Sequence, residues 1–322
     1  MGSLPLIILI LLLAPGIVGL VWTADRFVAG AAAIAEDLGV SALVIGLTVV
    51  SIGTSAPEIL VSATAAANQS TSLAVGNALG SNLANVGLVL ALSCLIFPIR
   101  IRSRAIAREM LIMVLVTLLA GAALFNGYLG RFESALMLVA LIAFVWGTLK
   151  FSAKGEPIVV TNEDVSEHIP LRKAMLITLL SLLGLLLFAN ILVQSASELA
   201  LRMGVSEMLI GMTVIAVGTS LPELSAAIAS CRIGKADIAL GNVVGSNIFN
   251  LLAVLPVAGV IGPAAIELTD ILRDYGFVLG ITLLLGVLCL GRVTMGRDCL
   301  LGRLTGGMFL AIYCLYYYLV FA

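Results

Sequence analysis

Residues 46–58 read GLTVVSIGTSAPE and residues 76–85 read GNALGSNLAN; the same text returns as GMTVIAVGTSLPE at 211–223 and GNVVGSNIFN at 241–250. A constant offset of 165 residues maps Pro57 onto Pro222, Glu58 onto Glu223, Ser81 onto Ser246 and Asn85 onto Asn250. Between Gly39–Asn85 and Gly204–Asn250, 19 of 47 positions are identical, so the chain is a duplication. The shared residues are not the Leu and Ile common to any two apolar helices. They are Gly, Pro, Thr, Ser, Asn and Glu, and polar groups are costly inside a bilayer, so their retention in both copies asks for a chemical reason.

The bilayer itself follows from composition. Of 322 residues, 61% are hydrophobic and 11% charged, with mean hydropathy +1.19, which leaves no room for a soluble domain. A net charge of −1 offers no basic surface for nucleic acid and implies no protein partner. The five cysteines (Cys94, Cys231, Cys289, Cys299, Cys314) lack CxxC spacing and read as packing residues. The first apolar run, Leu4 to Ala24, has no basic leader and reads as a retained helix.

Ten apolar segments can be marked off: 4–24, 41–67, 73–97, 105–125, 132–151, 171–201, 206–230, 236–262, 271–291 and 300–321. The expected fold is an all-α integral membrane protein with five helices in each half, 1–152 and 171–322, joined by a short cytoplasmic linker, 153–170, that holds His168. Because five is odd, the second half enters from the opposite side, which makes the duplication an inverted-topology repeat. With both termini outside, 14 Lys and Arg fall on cytoplasmic segments and only Arg131, Arg202 and Arg273 outside, as the positive-inside bias requires.

On the second segment Ser51, Thr54, Ser55 and Glu58 share one helical face. Pro57 has no N–H, which orphans the carbonyl of Gly53 and predicts a kink there; Thr213, Thr219, Ser220, Pro222 and Glu223 repeat the arrangement. On the third segment Asn77, Ser81 and Asn85 share a face beside Gly76 and Gly80, whose lack of side chain admits a neighbouring backbone. Asn242, Ser246 and Asn250, beside Gly241 and Gly245, do the same on the eighth. Around a pseudo-twofold axis these groups make a cage of oxygens with two carboxylates and neither sulfur nor imidazole. Such a donor set suits a hard cation such as Ca²⁺ or Na⁺. Polar residues that merely bond helix to helix are the bland alternative. A serine protease is excluded because no serine has a base, so an enzyme is not expected.

The paired G-T-S-x-P-E and G-S-N-x-x-N motifs resemble the two alpha repeats of the sodium/calcium exchanger family, in the cation/calcium antiporter superfamily, and the chain is similar to its bacterial members without a regulatory domain. The resemblance implies an inner (plasma) membrane antiporter with no permanent cofactor, whose transported ions are Ca²⁺ and Na⁺. It implies that Glu58 and Glu223 coordinate the ion, that Thr54, Ser55, Thr219 and Ser220 add side-chain or backbone oxygens, and that Ser51 and Ala216 offer backbone carbonyls. Ser81, Asn85, Ser246 and Asn250 match the remaining ligand positions. Some relatives carry Asp where this chain has Asn250, which leaves two carboxylates instead of three. The first and sixth helices are expected to be a long, tilted pair that slides to expose the site to alternate faces. Proton/calcium antiport is the nearest rival function, and a passive cation channel a more distant one.

Overall fold

The computed structural model describes residues 5–101, 104–152, 169–204, 216–293 and 299–321. The chain forms α1 (Leu6–Leu38), α2 (Ala42–Thr54), α3 (Ala56–Ala67), α4 (Thr71–Ile96), β1 (Ile99–Ile101), α5 (Arg104–Leu124), β2 (Tyr128–Leu129) and α6 (Arg131–Ser152). It continues with α7 (Leu171–Arg202), α8 (Ala216–Thr219), α9 (Leu221–Arg232), α10 (Ala236–Ile261), β3 (Ala264–Ala265), α11 (Leu268–Val293), β4 (Cys299–Leu301) and α12 (Arg303–Phe321). Among the described residues, eight helices are long and apolar enough to cross a bilayer, and α2 with α3 makes a ninth span bent by 43°. Of the expected seventh span, 206–230, the part before residue 216 lies outside the described residues, as does most of the 153–170 linker with His168.

The first helix differs from expectation. It runs to Leu38, where Gly39 takes a left-handed conformation (φ 64°) and ends it, and does not stop at Ala24. Asp25 and Arg26 read as a charged end in sequence, but both have partners in the folded chain. Asp25 pairs with Arg232, and the Arg26 guanidinium lies 5.0 Å from the centre of the Trp22 ring. Beyond them Phe27, Val28, Ala31 and Ala35 continue a buried stripe. At 33 and 32 residues, α1 and α7 are each about 50 Å long, more than a bilayer's hydrocarbon core needs.

These two helices lie against each other over most of their length. A methyl group placed on Gly16 would meet Leu192, one on Gly19 would meet Phe188, one on Gly184 would meet Thr23, and one on Gly30 would meet Thr178. The partner number falls as the first rises, so the two run antiparallel. Small residues at the crossing let the backbones approach without a driving force from water.

Two short antiparallel ribbons interrupt the otherwise helical architecture and were not expected from sequence. β1 pairs with β4 (Ile99 opposite Leu301) and β2 with β3 (Tyr128 opposite Ala265). Each ribbon ties a connection in the first half to one in the second, and because α5 separates β1 from β2, the ribbons lie at opposite ends of the bundle. The connections are only a few residues long, so pairing satisfies backbone groups that the helix ends leave exposed.

At the centre, α2 crosses α10 at backbone distance. A Cβ added to Gly241 would stand 2.6 Å from the Leu43 carbonyl oxygen and 3.0 Å from Cα of Gly46, and one added to Gly245 would stand 2.6 Å from Oγ of Ser51. The glycine stripe of the eighth span therefore works as its spacing predicts. Gly211, the equivalent of Gly46, lies outside the described residues. Gly241→Ala should cost about 1–3 kcal/mol, read as a lowered thermal midpoint of the purified chain, because backbone atoms cannot step aside. Gly276→Ala, with no described atom within 4 Å of the new methyl, should leave that midpoint unchanged.

Candidate functional site

Both Thr-Ser-x-Pro-Glu segments break the helix at the serine. Ser55 has φ −83° and ψ 5°, Ser220 has φ −88° and ψ 2°, and each closes one helix and opens the next. Pro57 and Pro222 then occupy the first turn of the new helix, where a missing N–H costs nothing. The expected kink is thus present, and it has a consequence for charge: Glu58 and Glu223 fall in the first turn of α3 and α9, where the helix dipole favours an anion.

Both glutamates are 1% exposed. Glu223 is the charged group that bears on Glu58, and the Thr54 and Ser55 side chains lie beside Glu223. The Ser55 hydroxyl does not reach hydrogen-bonding geometry there, and its oxygen has no partner. No ion pair among the described residues involves either glutamate. The site therefore holds carboxylates from both halves of the chain with no basic side chain among the described residues paired to them.

The walls come from α4 and α10. Asn77 donates to the Glu58 carbonyl oxygen (3.1 Å) and to Oγ of Ser62 (3.0 Å), and Asn242 donates to the Glu223 carbonyl oxygen (3.4 Å). Asn242 also accepts from the Thr54 hydroxyl across the halves (3.2 Å) and from Ser246 at the limit of range (3.5 Å). These amides hold the backbone on which each glutamate sits.

Other oxygens are left over. Glu58 Oε2, Glu223 Oε2, the hydroxyls of Ser55 and Ser220, both polar atoms of the Asn85 amide and Oδ1 of Asn250 are buried and have no hydrogen-bond partner. A buried polar atom without a partner costs about 1–3 kcal/mol, so such a concentration of them on two motifs marks a place shaped for something else to fill. Ser51, Thr54, Ser81 and Ser246 are likewise buried, and Thr219 is half-buried. The Ser51 hydroxyl donates to the carbonyl of Leu47 (2.7 Å), and the Ser51 carbonyl accepts from the Ser55 N–H (3.0 Å). Ala216 opens α8, and its side chain, like all of Gly211 and Thr213, lies outside the described residues.

Three features went unread in the sequence. The bonds of Asn77 and Asn242 to the glutamate carbonyls are one; the signal was the Gly-Asn pair identical in both copies. A second is the pair Asn82 and Asn247, residues equivalent at the 165 offset that meet each other: the Asn82 amide donates to the Asn247 carbonyl (3.2 Å). Two equivalent residues can touch only on the axis that relates the halves. Third, α4 and α10 widen to π-helical turns starting at the equivalent residues Asn85 and Asn250, as α2 does over Gly46–Val50. Such turns displace backbone carbonyls from the regular ladder and are frequent at functional sites.

With this geometry in view, similarity to known proteins can be placed. A family model for sodium/calcium exchanger proteins matches residues 8–150 and 173–322. The chain is 41% identical over 313 residues to a putative antiporter, CaxA, of Alkalimonas amylolytica, covering 95% of this chain and 97% of that one. It is 36% identical to the inner membrane protein YrbG of Escherichia coli, covering 95% and 96%, and 32% identical to the sodium/calcium exchanger MaX1 of Methanosarcina acetivorans, covering 85% and 89%. Among solved structures, that of the sodium-calcium exchanger NCX_Mj soaked with Na⁺ and Ca²⁺ superposes with a TM-score of 0.83 at 30% identity, covering 96% of this chain and 97% of the other. Both halves match, the fold matches and the doubled motif sits where two carboxylates meet: the chain belongs to the sodium/calcium exchanger family, a family of membrane cation antiporters.

Proposed function

We propose that the chain exchanges Ca²⁺ for Na⁺ by alternating access at one midplane site made by Ser51, Thr54, Ser55, Glu58, Ser81, Asn85, Ala216, Thr219, Ser220, Glu223, Ser246 and Asn250. The observation that carries this reading is the juxtaposition of Glu58 and Glu223, buried, unpaired with any base and ringed by partnerless oxygens. Hard cations take oxygen ligands, about six to eight for Ca²⁺, and the set offers that number without sulfur or imidazole.

The architecture proposed is ten spans in two inverted repeats, 1–152 and 171–322, joined by 153–170, with both termini outside and the chain crossing the inner membrane several times. Three observations support it. The equivalent helices α1 and α7 run antiparallel, as inverted copies must. Strands β1 and β3 are equivalent at the 165 offset yet lie at opposite ends of the bundle. Finally, β1 and β4 share an end, which requires an even number of crossings between them; the count is six only if the partly described seventh span crosses fully. For the membrane itself, the similarity to an inner membrane protein of Escherichia coli points the same way.

Two carboxylates carry about −2, which one Ca²⁺ cancels, so the loaded site can cross the low-dielectric middle while the empty one cannot. That difference couples the two fluxes: each reorientation waits for a cation. Loading with three Na⁺ leaves +1, so one net charge crosses per cycle, worth about 2.3 kcal/mol per 100 mV. Asn250, where some relatives have Asp, keeps the fixed charge at this value.

Three outcomes test the proposal in proteoliposomes. Sodium-loaded vesicles should take up ⁴⁵Ca²⁺, and Glu58→Gln or Glu223→Gln should each lower the initial rate at least about 100-fold, because an amide replaces the charge that balances the ion. Glu163→Gln in the linker should not; uptake indifferent to the sodium gradient would point to a channel, and uptake driven by a pH jump without sodium to proton exchange. At three-to-one stoichiometry, an inside-positive potential of 100 mV should raise the final inside/outside Ca²⁺ ratio by about 50-fold, and an electroneutral mechanism would show no change. Protons compete with metal for the same carboxylates, so the rate should fall as pH is lowered from 7.5 to 5.5, and constancy over that range would speak against Glu58 and Glu223 as ligands.

A further inference from the structure

A second place in the molecule holds a buried carboxylate, and it is far from the paired motifs in chain and in chemistry. Between α5 and α6 lies a cleft of about 340 Å³, lined among others by Arg108, Glu109, Ile112, Val116, Phe144 and Thr148. Glu109 is 1% exposed and Thr148 3%. Nε and Nη2 of Arg108 both reach Oε1 of Glu109, at 2.9 and 2.5 Å, so that Oε2 is left without a partner, as is the hydroxyl of Thr148. Arg108 itself is 41% exposed at the rim.

The cleft is graded along the helix axis. Glu109, Ile112 and Val116 descend one side, and Thr148, Phe144 and Ala140 descend the other, so polar groups occupy one end and apolar ones the next about 10 Å. The polar end is that of Lys150, whose ammonium lies 4.4 Å from the centre of the exposed Trp146 ring, a pairing typical of the water–lipid boundary. At the back, Phe144 stacks edge-on against Phe249 of α10, 6.2 Å between centroids, and closes the cleft toward the core. A charged residue buried at the membrane is a functional candidate by default, and Leu111 and Leu115 of α5 and Val139 and Ile142 of α6 are exposed apolar side chains of the kind that face lipid.

We propose that the cleft binds a phospholipid with a primary-amine headgroup, of the phosphatidylethanolamine kind, with the phosphate on Arg108, the ammonium on Glu109 and Thr148, and the upper part of an acyl chain along Ile112, Val116 and Phe144. Charge complementarity selects this occupant. Among the described lining residues the cleft offers one cation at the rim, Arg108, and one anion inside, Glu109, a pair that matches a zwitterion better than an anionic lipid; Lys150, at the same end, is held over Trp146 and does not line it. The free oxygens of Glu109 and Thr148 want N–H donors, which a primary ammonium has and a quaternary one lacks. This site does not depend on the exchange reaction, and its test needs no transport.

Native mass spectrometry of the purified full chain, offered equimolar phosphatidylethanolamine, phosphatidylcholine and phosphatidylglycerol with identical acyl chains, should show one retained phosphatidylethanolamine, favoured about tenfold over phosphatidylcholine. Glu109→Gln and Thr148→Val should each pull that preference toward unity, and Asp237→Asn, an exposed carboxylate outside the cleft, should not. Should the substituted chains fail to fold, the unsubstituted one decides: retention should fall in steps from the primary amine through mono- and dimethylated headgroups to choline. Equal retention along that series, or a preference for phosphatidylglycerol over phosphatidylethanolamine, would overturn the proposal, the latter by showing that Arg108 alone reads an anion.

Discussion

Two carboxylates, one from each half, buried within reach of each other's charge in a hydrophobic bundle are the constraint that the rest of this structure serves. Neither can be left without compensation, since a buried charge with no counterion is among the costliest things a protein can contain. The fold compensates in part. Broken helices aim their N-terminal dipoles at Glu58 and Glu223, and Asn77 and Asn242 bond to the glutamate carbonyls. The remainder is uncompensated, and the buried oxygens of Glu58, Ser55, Ser220, Glu223, Asn85 and Asn250 without partners are its mark.

Holding a broken helix inside a bilayer requires shelter, because lipid cannot satisfy freed backbone groups. Here the shelter is other backbone. Gly46, Gly241 and Gly245 let α2 and α10 meet at distances that no side chain would permit, and Asn82 joins its own equivalent Asn247 on the axis. Residues that look like weak packing formers are thus what brings the two halves to backbone distance.

Much of this could be read before any coordinates. The 165-residue offset announced the duplication, Pro57 and Pro222 announced the breaks, and the i, i+4 and i+8 spacing of Asn77, Ser81 and Asn85 put three polar groups on one face. What escaped had physical causes. The first helix was cut short because Asp25 and Arg26 look like an end unless Arg232 and Trp22 are known to attend to them, although shifting α7 back by 165 residues would have given its true length. The ribbons escaped because three residues, such as Ile99–Ile101, carry no periodicity of their own and pair only once both connections are in place. The π-helical turns at Asn85 and Asn250 leave no mark in composition, and the Glu109 cleft needed two helices side by side to exist at all.

The two ribbons have a mechanical meaning. β1 with β4 and β2 with β3 lash the outer helices of one half to those of the other at both rims, like hoops on a barrel, and among the described residues neither hoop includes α1 or α7. What holds that long pair to the barrel is side-chain packing together with the ion pairs Asp25–Arg232 and Glu36–Lys235. Exposed ion pairs are weak and exchange readily with water. A displacement of α1 and α7 along the barrel would therefore have to re-seat the buried stripe of Phe27, Val28, Ala31 and Ala35 as well as exchange those two ion pairs, yet would leave every interstrand bond of the staves intact.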